Sequence, residues 1–276
     1  MRFFKSIIAA LTFFASTCLQ ADVLVLVHGY LASPVSWEES GINVSLDVQG
    51  WKRGGVFSNG PTGVQLYETG SKADNTVYVV DLPSDAPVVV QSDFLQGMLN
   101  TIRQKQPDES IIIVGHSAGG VVARMSLIRG GAKNVTALIT IASPHVGTTR
   151  ANEAINATNE SGPFGMVKNL FGGSDYNTLK RSRGLLFDLI QPYPGNMLYW
   201  LNSQKHPDIK YISVVRLNPV GFAGDELVPG FSQDMNNVIA LQGRSSVITT
   251  PAGHTLVQQD ANTIVSILKS MESDSD

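Results

Sequence analysis

The sequence is nearly without cysteine, poor in charge, and has no basic run. Its single cysteine, Cys18, falls within residues 1–21. If that segment is removed, the rest of the chain holds no thiol and forms no disulfide, so its stability must come from packing. Only 16% of the 276 residues are charged and the formal net charge is −3. No stretch of Lys or Arg makes a cationic stripe for phosphates, so nucleic acid is not an expected partner. There is no internal repeat, and low complexity is confined to the Ser/Asp tail. What the chain does have is 43% hydrophobic residues, enough to bury one large core, and a single catalytic domain is expected.

Nor does the N-terminus offer a comfortable membrane span. Its apolar segment, Ile7 to Phe14, is short, with Arg2 and Lys5 before it and Ala15, Ser16 and Thr17 after it. That order reads as a secretory signal peptide over residues 1–21, which makes the protein secreted or periplasmic. A lipid anchor through Cys18 is the less favoured alternative, because Ala15 and Thr17 stand where an acylation motif wants Leu and Gly or Ala.

Apolar β-branched runs at Val23–Val27, Val77–Val80, Ile111–Val114, Val135–Ile141 and Tyr211–Leu217 read as strands buried on both faces of a parallel sheet. Helical spacing is read over Val35–Trp51, Ser92–Gln106, Ala118–Ile128 and Thr255–Leu268, with a loop holding at most one short strand over Gly54–Gly70 and a weaker strand at Val238–Leu241. The alternation implies right-handed crossovers and an α/β class. It breaks after Pro144 for a length far beyond ordinary connections. The expected organisation is a core of residues 22–149 and 208–276 with an apolar helical cap inserted at 150–207.

Gly115-His116-Ser117-Ala118-Gly119 fits the G-x-S-x-G elbow and lies between an expected strand and an expected helix. A serine on that turn takes a strained backbone and stands above the carboxyl end of the sheet, while the following helix aims amides at the place where an oxyanion forms. A phosphate loop would want a Lys after the glycines, and Val121-Val122 stand there instead.

Together with Val27-His28-Gly29-Tyr30 and Thr140-Ile141-Ala142-Ser143-Pro144-His145-Val146-Gly147, the elbow resembles the bacterial triacylglycerol-lipase-like enzymes of the α/β-hydrolase superfamily. The resemblance covers most of Val23–Gly147 and resumes over Tyr211–Leu268. It implies an α/β-hydrolase fold, Ser117 as nucleophile, and oxyanion-hole amides from Tyr30 and Ala118. In this superfamily the triad runs serine, acid, histidine along the chain. Of the five histidines, His28 and His116 precede the serine, His145 follows a strand directly, and His206 lies in the insertion, leaving His254 as the base. His28 reads as a buried brace for its loop. Asp225 resembles the family's acid, with Glu226 beside it as a rival and a turn aspartate bonding its own backbone as the plainer reading.

The function implied is hydrolysis of carboxylic esters, acyl lipids above all, with an ester or lipid substrate, transient contact with a lipid surface, and no cofactor. Other acyl transfers on the same triad, on a thioester, an amide or a polyester or to an alcohol acceptor, form the second reading. A binding protein on an inactive hydrolase scaffold is the remote third. The insertion's aromatics, from Phe164 to Trp200, suit either a lid over an acyl pocket or a subdomain packed on itself.

Overall fold

The computed structural model describes residues 22–69, 73–157 and 176–273. The signal-peptide reading and Phe164, Met166, Leu170 and Phe171 of the insertion lie outside these residues. Eight described strands form one sheet: β1 (Asp22–Val27), β2 (Trp51–Gly60), β3 (Gly63–Glu68), β4 (Asn75–Val80), β5 (Ser110–His116), β6 (Val135–Ile141), β7 (Lys210–Leu217) and β8 (Ser245–Pro251). Their spatial order is β3-β2-β4-β1-β5-β6-β7-β8. Every neighbouring pair is parallel except β2 with β3.

The described helices are α1 (Val35–Glu39), α2 (Ile42–Val48), α3 (Val88–Lys105), α4 (Ala118–Gly130), α5 (Thr149–Ala157), α6 (Tyr176–Arg181), α7 (Arg183–Asp188), α8 (Met197–Ser203), α9 (Gly230–Gln233) and α10 (Gln258–Ser273). They make the unbroken apolar runs intelligible. On β1, Val23, Val25 and Val27 pack with Leu95 and Met98 of α3 and Val121 of α4, whereas Leu24 and Leu26 face the opposite layer, with Trp37, Leu46 of α2 and Ile264 of α10. A strand buried on both faces cannot alternate in polarity. Each such side chain contributes about 1.5–3 kcal/mol of burial. The expected α/β class and its two covered faces are what the structure has.

Four expected elements need correction. The helix read over Val35–Trp51 is two short helices, because Gly41 turns left-handed at φ 77° and Trp51 already begins a strand. The connection read as a loop over Gly54–Gly70 belongs to the β2–β3 hairpin, at the edge of the sheet, where one face stays partly exposed and the apolar run is lost. Helix α3 starts at Val88 rather than Ser92, since the Asp188 carboxylate accepts the Val88 N–H at 2.8 Å. The strand read at Val238–Leu241 is a pair of 3-10 turns that bury Val238 and Leu241; the strand is β8, an edge strand with a polar, exposed sequence.

In the described part of the insertion, the aliphatic residues point inward and the aromatics outward. Leu185, Leu186, Leu189 and Leu198 are buried, and Phe187, Tyr193, Tyr199 and Trp200 are exposed.

One buried ion pair staples the last strand–loop–helix unit. Arg216 on β7 meets Asp260 at 2.6 and 2.8 Å, also donating to Thr250 Oγ1 and to the Thr255 carbonyl, and both side chains are sealed from solvent. Asp260 additionally accepts the Val257 N–H at the start of α10, as a capping-box acid does. Removing one partner of such a pair strands the other charge. Asp260→Ala is therefore expected to cost about 3–5 kcal/mol of stability, read from the denaturant midpoint.

Candidate active site

Strand β5 ends at His116 and α4 begins at Ala118, so Ser117 takes the whole reversal alone, at φ 53° and ψ −128°. A non-glycine residue there is strained, and such strain clusters at functional sites. Of the four described non-glycine residues with positive φ, three lie just beyond the carboxyl ends of β1, β5 and β6: Leu31, Ser117 and Ala142. That rim is where open parallel sheets bind ligands.

Two glycines bring the loop after β1 against the elbow. A Cβ on Gly29 would lie 2.7 Å from the Ser117 Cβ, and one on Gly119 would run into the Val27 and His28 carbonyls. Because β1 and β5 are hydrogen-bonded neighbours, this approach sets Tyr30, the next residue, on the wall of the cavity that holds Ser117. Ala118, at the first position of α4, is buried beside it.

Ser117 Oγ lies 2.8 Å from His254 Nε2, and His254 Nδ1 lies 3.0 Å from Asp225 Oδ2. The network requires the Nδ1–H tautomer, in which Nε2 accepts the Ser117 hydroxyl proton and Nδ1–H donates to Asp225. The two adjacent acids contact different parts of His254. Asp225 Oδ1 accepts the N–H groups of Leu227 and Val228, both at 2.8 Å, which is the backbone turn, while Oδ2 faces the imidazole and also accepts from Gln233 Nε2 at 2.9 Å. The Glu226 carboxylate instead accepts the peptide N–H of His254, at 3.1 and 3.3 Å.

Burial pushes the Asp225 carboxyl up, but the His254 hydrogen bond and charge, with the Val228 and Leu227 amides, outweigh it and leave it below its ordinary value. It is therefore a carboxylate at neutral pH.

His116 holds the other end of the His254 peptide, donating from Nε2 to the carbonyl at 2.8 Å. Burial, with the neighbouring imidazole of His254, lowers His116 to about 3, so it is neutral. His28 accepts the Leu82 N–H at Nε2 and donates from Nδ1 to the Gly29 carbonyl, a neutral brace of the loop. His145 and His206 stand apart from Ser117, around Arg124 on α4. Sequence reasoning missed the contributions of His116, Gln233 and Arg216. The one available signal was a charged residue breaking an apolar run, as Arg216 does after Val214-Val215.

The cavity over Ser117 and His254 is walled by Tyr30, Pro144, Ala151, Leu186, Leu189, Leu227 and Val228, with Arg150 at one side. Arg150 pairs with Glu153 at 2.7 Å and donates to the Glu226 carbonyl. Among the described residues no cluster of His, Cys, Asp or Glu could hold a metal ion.

Residues 86–160 match the family model described as the PGAP1-like alpha/beta domain. Three solved structures share the architecture across almost the whole chain. The mature lipase BlEst2 of Bacillus licheniformis is 16% identical with a TM-score of 0.59, over 90% of this chain and 91% of that one. MenH from S. aureus is 18% identical with a TM-score of 0.53, over 93% and 96%. The esterase EaEST from Exiguobacterium antarcticum is 17% identical with a TM-score of 0.51, over 91% and 92%. The chain has the α/β-hydrolase fold. No curated protein sequence matches it significantly. In this α/β-hydrolase sheet the serine, imidazole and carboxylate meet at the carboxyl rim, each on a different loop.

Proposed function

We propose that the protein is a secreted serine hydrolase that cleaves carboxylic esters, with acyl lipids as its substrate class, through Ser117, His254 and Asp225. The observation that carries this reading is the continuous relay from Ser117 Oγ through His254 to Asp225, at 2.8 and 3.0 Å, opening on an apolar cavity. Export rests on the order of basic, apolar and small residues in 1–21.

Ser117 Oγ attacks the ester carbonyl carbon as its proton passes to His254 Nε2. The tetrahedral oxyanion accepts hydrogen bonds from the Tyr30 and Ala118 amides, each such donor being worth about 2.7–4 kcal/mol of transition-state stabilisation. Collapse gives the Nε2 proton to the departing alkoxide, which leaves as the alcohol, with the acyl group on Ser117. Water, deprotonated by the same nitrogen, attacks the acyl carbon; the second collapse returns the proton to Ser117 and frees the carboxylic acid. Asp225 holds the tautomer and stabilises the imidazolium in both steps.

The aliphatic walls favour an acyl chain over a polar group. Val220 and Phe222, exposed on the loop before Asp225, and Phe231, exposed on α9 after it, suit transient contact with a lipid surface. A panel of p-nitrophenyl esters of rising chain length tests the substrate class. The rate is expected to hold or rise toward long chains. A steady fall with length points to a narrow-pocket esterase, and no turnover on any ester contradicts the reading.

A further inference from the structure

Outside the site, the least expected charge is Arg124. It lies two turns along α4 from Ser117 and is fully buried. Its Nε donates to His206 Nε2 at 3.2 Å, its Nη2 to the same nitrogen at 3.0 Å and to Asn202 Oδ1 at 2.8 Å, and its Nη1 to His145 Nδ1 at 3.3 Å. No carboxylate pairs with it among the described residues. Burial lowers it to about 9. A buried cation without an anion is costly, and an aliphatic side chain would fill the space without that cost.

The acceptors are fixed in turn. His145 Nε2–H donates to Thr140 Oγ1 at 3.0 Å, His206 Nδ1–H to the Gln204 carbonyl at 2.8 Å, and Asn202 Nδ2 to the His145 carbonyl at 3.0 Å. Both rings are therefore neutral, with the nitrogen facing Arg124 unprotonated. Their places in the chain matter more. His145 opens the segment between β6 and β7, and Asn202 and His206 close it. Between them, that segment supplies Thr148, Ala151, Leu186 and Leu189 to the wall of the cavity over Ser117.

We propose that Arg124 is a positioning residue for substrate selection: one buried guanidinium on the nucleophile's helix latches both ends of the wall segment and so sets the acyl pocket against Ser117. The inference rests on the acyl-transfer reading of that site. It also makes the latch acid-sensitive, because a proton on either imidazole sets a second cation against Arg124. The other groups around His206 give no relief. Tyr211 donates its hydroxyl to the Pro207 carbonyl, Arg244 lies 5.4 Å over the Tyr211 ring, and Asp208 pairs with Arg244 at 3.3 Å. Burial, then the charge of Arg124, lowers His206 to about 4, and His145 is held well below the ordinary imidazole value by the same causes. The folded value lies below the unfolded one. The latch is thus intact above about pH 6.5 and weakens as pH falls toward about 4.

The test compares the mature wild-type chain with Arg124→Met and His206→Gln, whose amide keeps an acceptor for Arg124 but does not titrate. Two quantities are read: the rate at which a small fluorophosphonate labels Ser117, and the ratio of kcat/KM for a long-chain to a short-chain p-nitrophenyl ester. A general loss of acid–base catalysis slows every ester alike and cancels in that ratio.

Arg124→Met is expected to lower the ratio at least about fivefold near neutrality while labelling stays within about threefold. The wild-type ratio is expected to fall at pH 4, and that of His206→Gln to hold. An unchanged ratio in Arg124→Met, or one common factor lost from labelling and from every ester, overturns the proposal. So does a wild-type ratio that survives pH 4, or a His206→Gln ratio that falls with the wild type. If Arg124→Met does not fold, the His206→Gln comparison decides alone. A wild-type protein neither labelled nor active contradicts the acyl-transfer reading itself, not the latch.

Discussion

Ser117→Ala is expected to lower kcat on a p-nitrophenyl ester by about 10⁶-fold, with His254→Ala close to it and the double variant no worse than either single one. The two side chains act as one unit. In the proposed mechanism Ser117 Oγ hands its proton to the nitrogen 2.8 Å away, so losing either the nucleophile or the acceptor removes the same step. What survives is the contribution of binding and of the oxyanion donors, about 10³–10⁴ over water. Thermal unfolding separates this from misfolding. Removing the Ser117 hydroxyl leaves the elbow's backbone unchanged, and the Tm is expected to stay within a few degrees of wild type. Additive losses in the double variant would mean that serine and imidazole act independently.

Asp225→Asn carries the second-largest effect, about 10⁴-fold in kcat. The amide Oδ1 can still accept the Leu227 and Val228 N–H groups, so the turn survives. The Nδ2 group, however, now donates toward His254 Nδ1 and drives the proton to Nε2, where it blocks acceptance from Ser117. It also sets two donors face to face, its own and Gln233 Nε2. A stability loss of about 1–3 kcal/mol accompanies the lost rate. Glu226→Gln provides the contrast. Its amide oxygen still accepts the His254 peptide N–H, and activity is expected within about threefold of wild type. Near-equal losses from the two substitutions would undo the assignment of the acid.

The contrast between adjacent acids marks where the sequence stops being legible. Chain order and the turn context narrow the choice to Asp225 and Glu226, and no pattern separates neighbours whose side chains leave one loop in different directions. The buried strands were readable because both faces of β1 and β5 need apolar side chains, and the elbow because its constraint spans only five residues. The β2–β3 hairpin and β8 were not. At a sheet edge one face meets water, and polar residues such as Ser245 and Ser246 erase the apolar run. The start of α3 was hidden for a different reason, since its acceptor, Asp188, comes from far along the chain. Arg124 and Arg216 sit at the centre of buried polar networks. Their burial follows from partners that only the tertiary structure assembles.

The most direct measurement is the labelling of the purified protein with a fluorophosphonate, located by peptide mass. A single adduct on Ser117 in the wild type, slowed by at least about 10³-fold in His254→Ala, is the predicted result. An unlabelled wild type, or equal labelling of the two proteins, would contradict a serine made nucleophilic by that imidazole.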